Sequence, residues 1–348
     1  MTRPVRRLLN AAMGLMAAFL LALIVPSSVS ALDLVQKGDA VTIKTKPIKT
    51  FQIGKTETRF GQLEFLGGLE ILSANRAIGG LSGLITLSGG AQFLAVTDNG
   101  HWVSGEIEQD KAGVPLDFAN IRVAPLRRQN GETFRRIWGH DTESLVRDGD
   151  TLLVSAERAN AIYRFPWPIL TGNERMLEEV AVPPEIKALQ KTKGLEAIAA
   201  GPAGSLLDGV IVAVGERGIS ESHSLPGFLI SSTGTEVFSI ERSDRYDATD
   251  AVFLPNGEFL LLERRFNMRD LVGMRLRQFK SADLKPGAQL RGEVLLEADF
   301  TYQIDNMEAL AVHQTKDGDT ILTVLSDNNR SLLQRTLLLR FKLINADG

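Results

Sequence analysis

Four acidic residues head similar short phrases along the chain: Glu143-Ser-Leu, Glu196-Ala-Ile, Asp250-Ala-Val and Glu308-Ala-Leu. Each phrase is answered by an apolar run that closes on a second acid, at Glu157-Arg158, Glu216-Arg217, Glu263-Arg264 and Asp327-Asn328. A fifth copy comes first, with Ser82 in the acidic slot and Asp98-Asn99 answering it. Carboxylates gathered at one place repel each other, so their pKa values rise or they recruit a hard cation. Glu143, Glu196, Asp250 and Glu308 are therefore the candidate metal ligands, and calcium is the expected cofactor. Asn99, Asn306 and Asn328 could add oxygen ligands, and Asp141, Asp247 and Asp305 lie just upstream of their slots. The competing role is structural: an acid at a fixed place in a repeat can accept backbone hydrogen bonds between units.

Three of the answering acids are followed by an arginine, giving Arg158, Arg217 and Arg264 as candidate substrate-binding residues. A guanidinium can hold a phosphate bidentately, or it can pair with an acid of the next unit. Neighbouring strand residues face opposite ways, so no Glu-Arg pair closes on itself. Asp98, Asp327 and His140 are the candidates for positioning and deprotonating a water. Other chemistry lacks its signature. Gly80-Leu-Ser82-Gly83-Leu84 is no nucleophile elbow, and Gly54-Lys55-Thr56 lacks the upstream glycine of a phosphate loop.

The slots at 82, 143, 196, 250 and 308 recur with a period of about 55 residues. Short runs rich in Val, Leu, Ile and Phe fit four strands into each period. Asp148-Gly149-Asp150, Pro255-Asn256-Gly257 and Asp317-Gly318-Asp319 mark turns between first and second strands. Tyr163 to Phe165, Met274 to Leu276 and Leu338 to Phe341 suit third strands. Two short helices are expected, over Glu174 to Glu179 and from Pro184 to Lys193. The reading is an all-β chain folded as a β-propeller, with six blades of four antiparallel strands, and five or seven as alternatives. The sixth blade would join N-terminal strands to the C-terminal segment. Innermost strands then stand side by side around a channel, so each acidic column becomes a ring at one mouth.

Arg3, Arg6 and Arg7 precede an apolar run, and Val29-Ser30-Ala31 offers a cleavage site, so residues 1–31 read as a signal peptide before a single domain over 32–348. Export by a Sec-type route to the periplasm or medium is expected, with twin-arginine export and an uncleaved anchor as alternatives. Net charge is −3, and loss of the three leader arginines takes it to about −6, which argues against a nucleic-acid partner. The chain has no cysteine, so disulfides and thiolate chemistry are excluded. A small-molecule substrate, no lasting membrane anchor and a monomer are expected.

Several phrases together resemble the family described as "esterase-like activity of phytase". They are Gly79 to Leu84, Thr97-Asp-Asn-Gly100-x-Trp102, Asp141-Thr-Glu-Ser-Leu145, Gly194 to Ile198, Glu263-Arg-Arg-Phe266 and Asp305 to Leu310, with Ser326 to Asn329 and Gln334 to Leu339. The resemblance spans about residues 58 to 343 and implies an exported bacterial propeller acting on esters. The function expected is a metal-dependent ester hydrolase, a phosphoesterase of phytase-like type. The alternatives are a sugar-lactone hydrolase and a non-catalytic binding or scaffold propeller with structural calcium.

Overall fold

Apolar runs of four to six residues separated by tight turns leave each strand with two faces to bury, and stacked sheets meet that need. The computed structural model describes residues 34–134, 141–190, 192–217, 224–268, 271–331 and 333–344, all within one unit. Five sheets, antiparallel except for the outer pair of Gly234–Glu241 with Gln289–Leu290 in the third, begin with the innermost strands Leu81–Leu87, Thr142–Asp148, Leu195–Ala200, Asp247–Phe253 and Asn306–Gln314. Each innermost strand packs on the next, and the fifth packs on the first, so the ring is closed. This is a five-bladed propeller.

Five is the lowest of the three counts the repeats allowed, and the sixth blade does not form. Strand Leu63–Leu72 pairs with Thr336–Leu343, the third strand of the last repeat, in register Leu338 with Leu69. The N-terminal strands thus complete the fifth blade and lock the two ends of the domain together. The early polar stretch supplies outer strands: Lys44–Ile48 edges the fifth blade and Asp39–Ala40 the first.

The turn signals are used as read. Asp148 pairs with Thr151 across Gly149, whose φ of 55° suits glycine, and Gly257 and Gly318 take φ of 87° and 88° in the matching hairpins. The helix expected over Glu174 to Glu179 is absent. The Glu174 carboxylate instead accepts from Thr171 and Gly172 in a turn, and Glu178–Val180 is the outer strand of the second blade. Among the described residues of the second predicted helix, only Pro184–Lys187 is helical.

The core lies between blades. One buried apolar cluster fills each of the five interfaces among the described residues, for example Leu94, Val96 and Trp102 against Leu152, Val154 and Phe165 between the first two blades. Every blade thus depends on both neighbours, and the inner-strand ends that build the mouth are held from two sides.

Candidate functional site

Every innermost strand carries a β-bulge near its start, where its register against the second strand slips by one residue. The slips fall around Ser82, Glu143, Glu196, Thr249 and Glu308. A bulge adds a residue that the partner strand cannot match and re-aims its side chain. That is how acids on otherwise buried strands come to face the channel. The second strands deliver the other ring, at Asp98, Glu157, Glu216, Arg264 and Asp327, the positions that follow the pairs aligned before each slip.

In the fourth blade both columns differ by one residue from the sequence alignment. The matching phrase put Asp250 in the slot and Glu263 opposite, whereas the bulge puts Thr249 and Arg264 there. Asp250 sits one residue further along, where the other blades carry Gly83, Ser144, Ala197 and Ala309. It accepts hydrogen bonds from Ser144 Oγ (2.6 Å), Leu310 N (2.8 Å) and Ala251 N (2.9 Å), stitching three inner strands together across the axis. Asp250 therefore closes the channel beneath the mouth, and the structure does not bring it together with the other three metal candidates. Glu263 is fully buried on the far face of its strand, forked between Arg275 and Arg277.

The mouth is a cavity of about 200 Å³ lined by eight carboxylates, namely Asp98, Asp141, Glu143, Glu157, Glu196, Glu216, Glu308 and Asp327, against Arg158, Lys193 and Arg264. Oxygens of Asp141, Glu143 and Glu157 lie within 4.8 Å of one another, and so do those of Glu157, Glu196 and Glu216. Crowding has the expected electrostatic result. Burial first, then neighbouring carboxylates, holds Glu143 and Glu196 well above the ordinary range. Burial with the charges of Glu216 and Asp141 pushes Glu157 up to about 7, against the pull of Lys193. Burial raises Glu308 to about 7 although Arg264 opposes it, and raises Asp327 to about 6.

The cations are placed by these acids. Arg264 Nη1 bonds Asn306 Oδ1 and lies 3.1 Å from Glu308 Oε1, and its Nη2 is 3.7 Å from Glu216 Oε1. Burial pulls its pKa down, but Glu308, Glu216, Glu196 and Glu143 outweigh that and hold it above the usual value. Arg158 donates to Asp141 Oδ2 (2.8 Å) at the rim of the cavity. Arg217 does not line the mouth; its guanidinium forks onto Asp247, which Arg242 also bonds (2.8 Å).

Asp98 and Asp327 both reach the cavity, but each is already engaged. Asp98 is bridged by Arg330, and Asp327 accepts from Gly80 N (2.7 Å) and Asn329 N (2.8 Å). His140 lies outside the described residues. His101, near the same rim, is kept below the usual imidazole range by burial and by Arg330. Lys193 and Arg330 were not found by sequence reasoning, because neither belongs to an acidic column. Lys193 stands three residues before Glu196, in the place His140 holds relative to Glu143, and that alignment was the available signal.

Fold and site define a five-bladed propeller with a carboxylate-lined mouth. The chain belongs to the Phytase-like family, described as esterase-like activity of phytase, which it matches over residues 76–330. No curated protein matches it in sequence. Among solved structures it is similar to the endo-arabinase from Bacteroides thetaiotaomicron, at 10% identity and a TM-score of 0.47, covering 76% of this chain and 94% of that one. It is also similar to the glutaminyl cyclase of Myxococcus xanthus, at 11% identity and a TM-score of 0.38, covering 77% and 93%. Neither likeness bears on activity.

Proposed function

We propose that the protein is an exported, metal-dependent hydrolase of small-molecule esters, acting on phosphate esters as a monomer outside the cytoplasm. The observation that carries this reading is the mouth itself: eight carboxylates converge with three cations in a cavity of about 200 Å³. Such an excess of buried acid must be protonated or neutralised by a cation. An all-oxygen donor set without histidine or cysteine fits calcium or magnesium better than softer metals. Glu143, Glu157, Glu196 and Glu216 are the residues that would hold it. Asp250 is not one of them, since three donors already take its carboxylate, and Glu308 is engaged by Arg264 and Asn306. A bound divalent cation supplies Lewis acidity and lowers the pKa of water.

The chain's own side chains supply the rest. Arg264 is fixed by Asn306 and Glu308 and needs no reorganisation to meet charge that builds on a phosphoryl oxygen. Arg158, half-exposed at the rim, is placed to engage an incoming anion. Asp98 and Asp327, each held by its own partners, can orient water from the far side of the mouth. Family membership supports ester chemistry, and the preference for phosphate rests on the two arginines.

The test is turnover of 4-nitrophenyl phosphate and 4-nitrophenyl acetate by wild type and by Arg264→Ala. Loss of one preorganised charge donor is expected to lower kcat on the phosphate ester by roughly a hundredfold to a thousandfold, with a smaller effect on acetate. Equal losses on both esters would remove the phosphate assignment. No turnover of either by the wild type would leave a scaffold propeller.

A further inference from the structure

We infer that the cation of the mouth sits between Glu157, Glu196 and Glu216, and that Lys193 is its built-in competitor, an ammonium that occupies the site until a divalent ion displaces it. This deepens, and rests on, the cation-dependent reading above. The three glutamates are 8%, 4% and 1% exposed, and an oxygen of each lies within 4.8 Å of the others. Their backbones are fixed: Glu157 N bonds Asp141 O and Glu216 N bonds Gly194 O, both at 2.8 Å, and Ser155 Oγ donates to Glu196 O at 2.8 Å. The strand ends that carry the carboxylates therefore cannot draw apart to relieve their repulsion.

Lys193 answers part of that charge. Its Nζ lies 2.5 Å from Glu216 Oε1, yet Glu216 Oε2, equally buried, accepts no hydrogen bond among the described residues. One ammonium thus leaves an oxygen unsatisfied in a cluster of three acids. A calcium ion, which takes six to eight oxygens and carries twice the charge, can engage both oxygens of that carboxylate.

The geometry lets the side chain leave while the backbone stays. Asn160 brackets the turn that bears Lys193, donating to Leu189 O (2.9 Å) and accepting from Leu195 N (3.1 Å). Gly194 fits against Asn160 so closely that a Cβ there would come within 2.2 Å of Oδ1. The Lys193 side chain is 32% exposed, so it enters from solvent on a flexible four-carbon stem and can swing back into it. Arg264, the other cation near Glu216, is tied to Asn306 and Glu308 and remains.

The test is isothermal titration of calcium chloride into the chelator-stripped, dialysed protein. Lys193→Met is expected to bind calcium at least about tenfold more tightly than wild type, because a like charge has been removed from the site. Glu216→Gln is expected to bind at least about tenfold more weakly. If Lys193→Met does not fold, Lys193→Gln carries the same expectation, and calcium must then raise the melting temperature of that variant more than that of wild type. Binding that is unchanged or weakened without the lysine would overturn the inference, as would a wild type and lysine variants that all fail to bind calcium. Calcium binding in this order without ester turnover would keep the inference and sink the hydrolase. Turnover by a protein that binds no calcium would do the reverse.

Discussion

Asp250 shows how a single carboxylate can look like a ligand and serve as a brace. Ser144 Oγ, Leu310 N and Ala251 N all donate to it, and burial still pushes its pKa to about 8 against those bonds. Asp250→Ala would strand three donors in the closed axis and is expected to cost about 3 kcal/mol, read from urea unfolding. Calcium affinity should be unchanged in that variant; a large fall would return Asp250 to the ligand set. The acids themselves were legible, since Glu143, Glu196 and Glu308 do face the mouth. The fourth copy misled because Asp250-Ala-Val mimics Glu196-Ala-Ile, while the position of a bulge leaves no mark in residue type. Arg217 illustrates a different limit: a Glu-Arg pair on a strand says that one side chain faces inward without saying which. The fold turns Glu216 inward and Arg217 away, does the reverse with Arg264 and Glu263, and brings both Glu157 and Arg158 to the mouth, since that pair lies beyond the strand's end at Ala156.

The bulged inner strand is the element that converts a sheet into a site. Its first residues turn an acid to the channel in three blades, at Glu143, Glu196 and Glu308. The next residue is small in four of the five, at Gly83, Ser144, Ala197 and Ala309, with Asp250 as the brace in the fourth blade. The space beside Gly83 is filled by backbone, with Leu145 N 2.5 Å and Ser144 C 2.8 Å from where a Cβ would stand. Gly83→Val is therefore expected to lower stability by about 2 kcal/mol or more through overpacking, measured by denaturant unfolding. A neutral result would mean that the first two blades do not meet as closely as described. Turn chemistry and strand runs were readable in the chain, because Gly149, Gly257 and Gly318 each hold a conformation that favours glycine. The stretch after Pro168 was not. Its acids and Leu177 resemble a helix turn, and pairing of Glu178–Val180 with the third strand overrides that local preference.

Across the whole molecule, the repeat period was enough to establish a propeller, and the blade count depended on a fact outside the period. Strand Leu63–Leu72 shares the last repeat's sheet, so two chain ends supply one blade. The ring concentrates buried acid, which makes stability depend on pH in a definite direction. Burial pushes Asp250, Glu157, Glu308 and Asp327 up to about 8, 7, 7 and 6, above the ordinary values of 3.8 for Asp and 4.5 for Glu. A raised carboxyl binds its proton more tightly when folded, so its contribution is full at low pH and lost as pH rises through the folded value. Glu174 and Asp299, whose pKa values are lowered, and His101 and His313, which burial lowers, act in the opposite sense. They are fewer than the raised acids, which also include Glu143 and Glu196, and none of them belongs to the ring. Chelated protein is thus expected to melt at a lower temperature at pH 8 than at pH 5, with calcium narrowing the gap. A flat or rising profile in chelator would contradict the electrostatic description of the mouth.

The whole proposal meets its most direct test in one rate measurement: hydrolysis of 4-nitrophenyl phosphate by the purified protein after removal of divalent ions and again after calcium is restored. The expected result is activity that is lost on chelation, returns with calcium, and does not return in Glu157→Gln. Turnover that survives chelation, or that Glu157→Gln retains in full, would contradict a cation-dependent site built from these two rings.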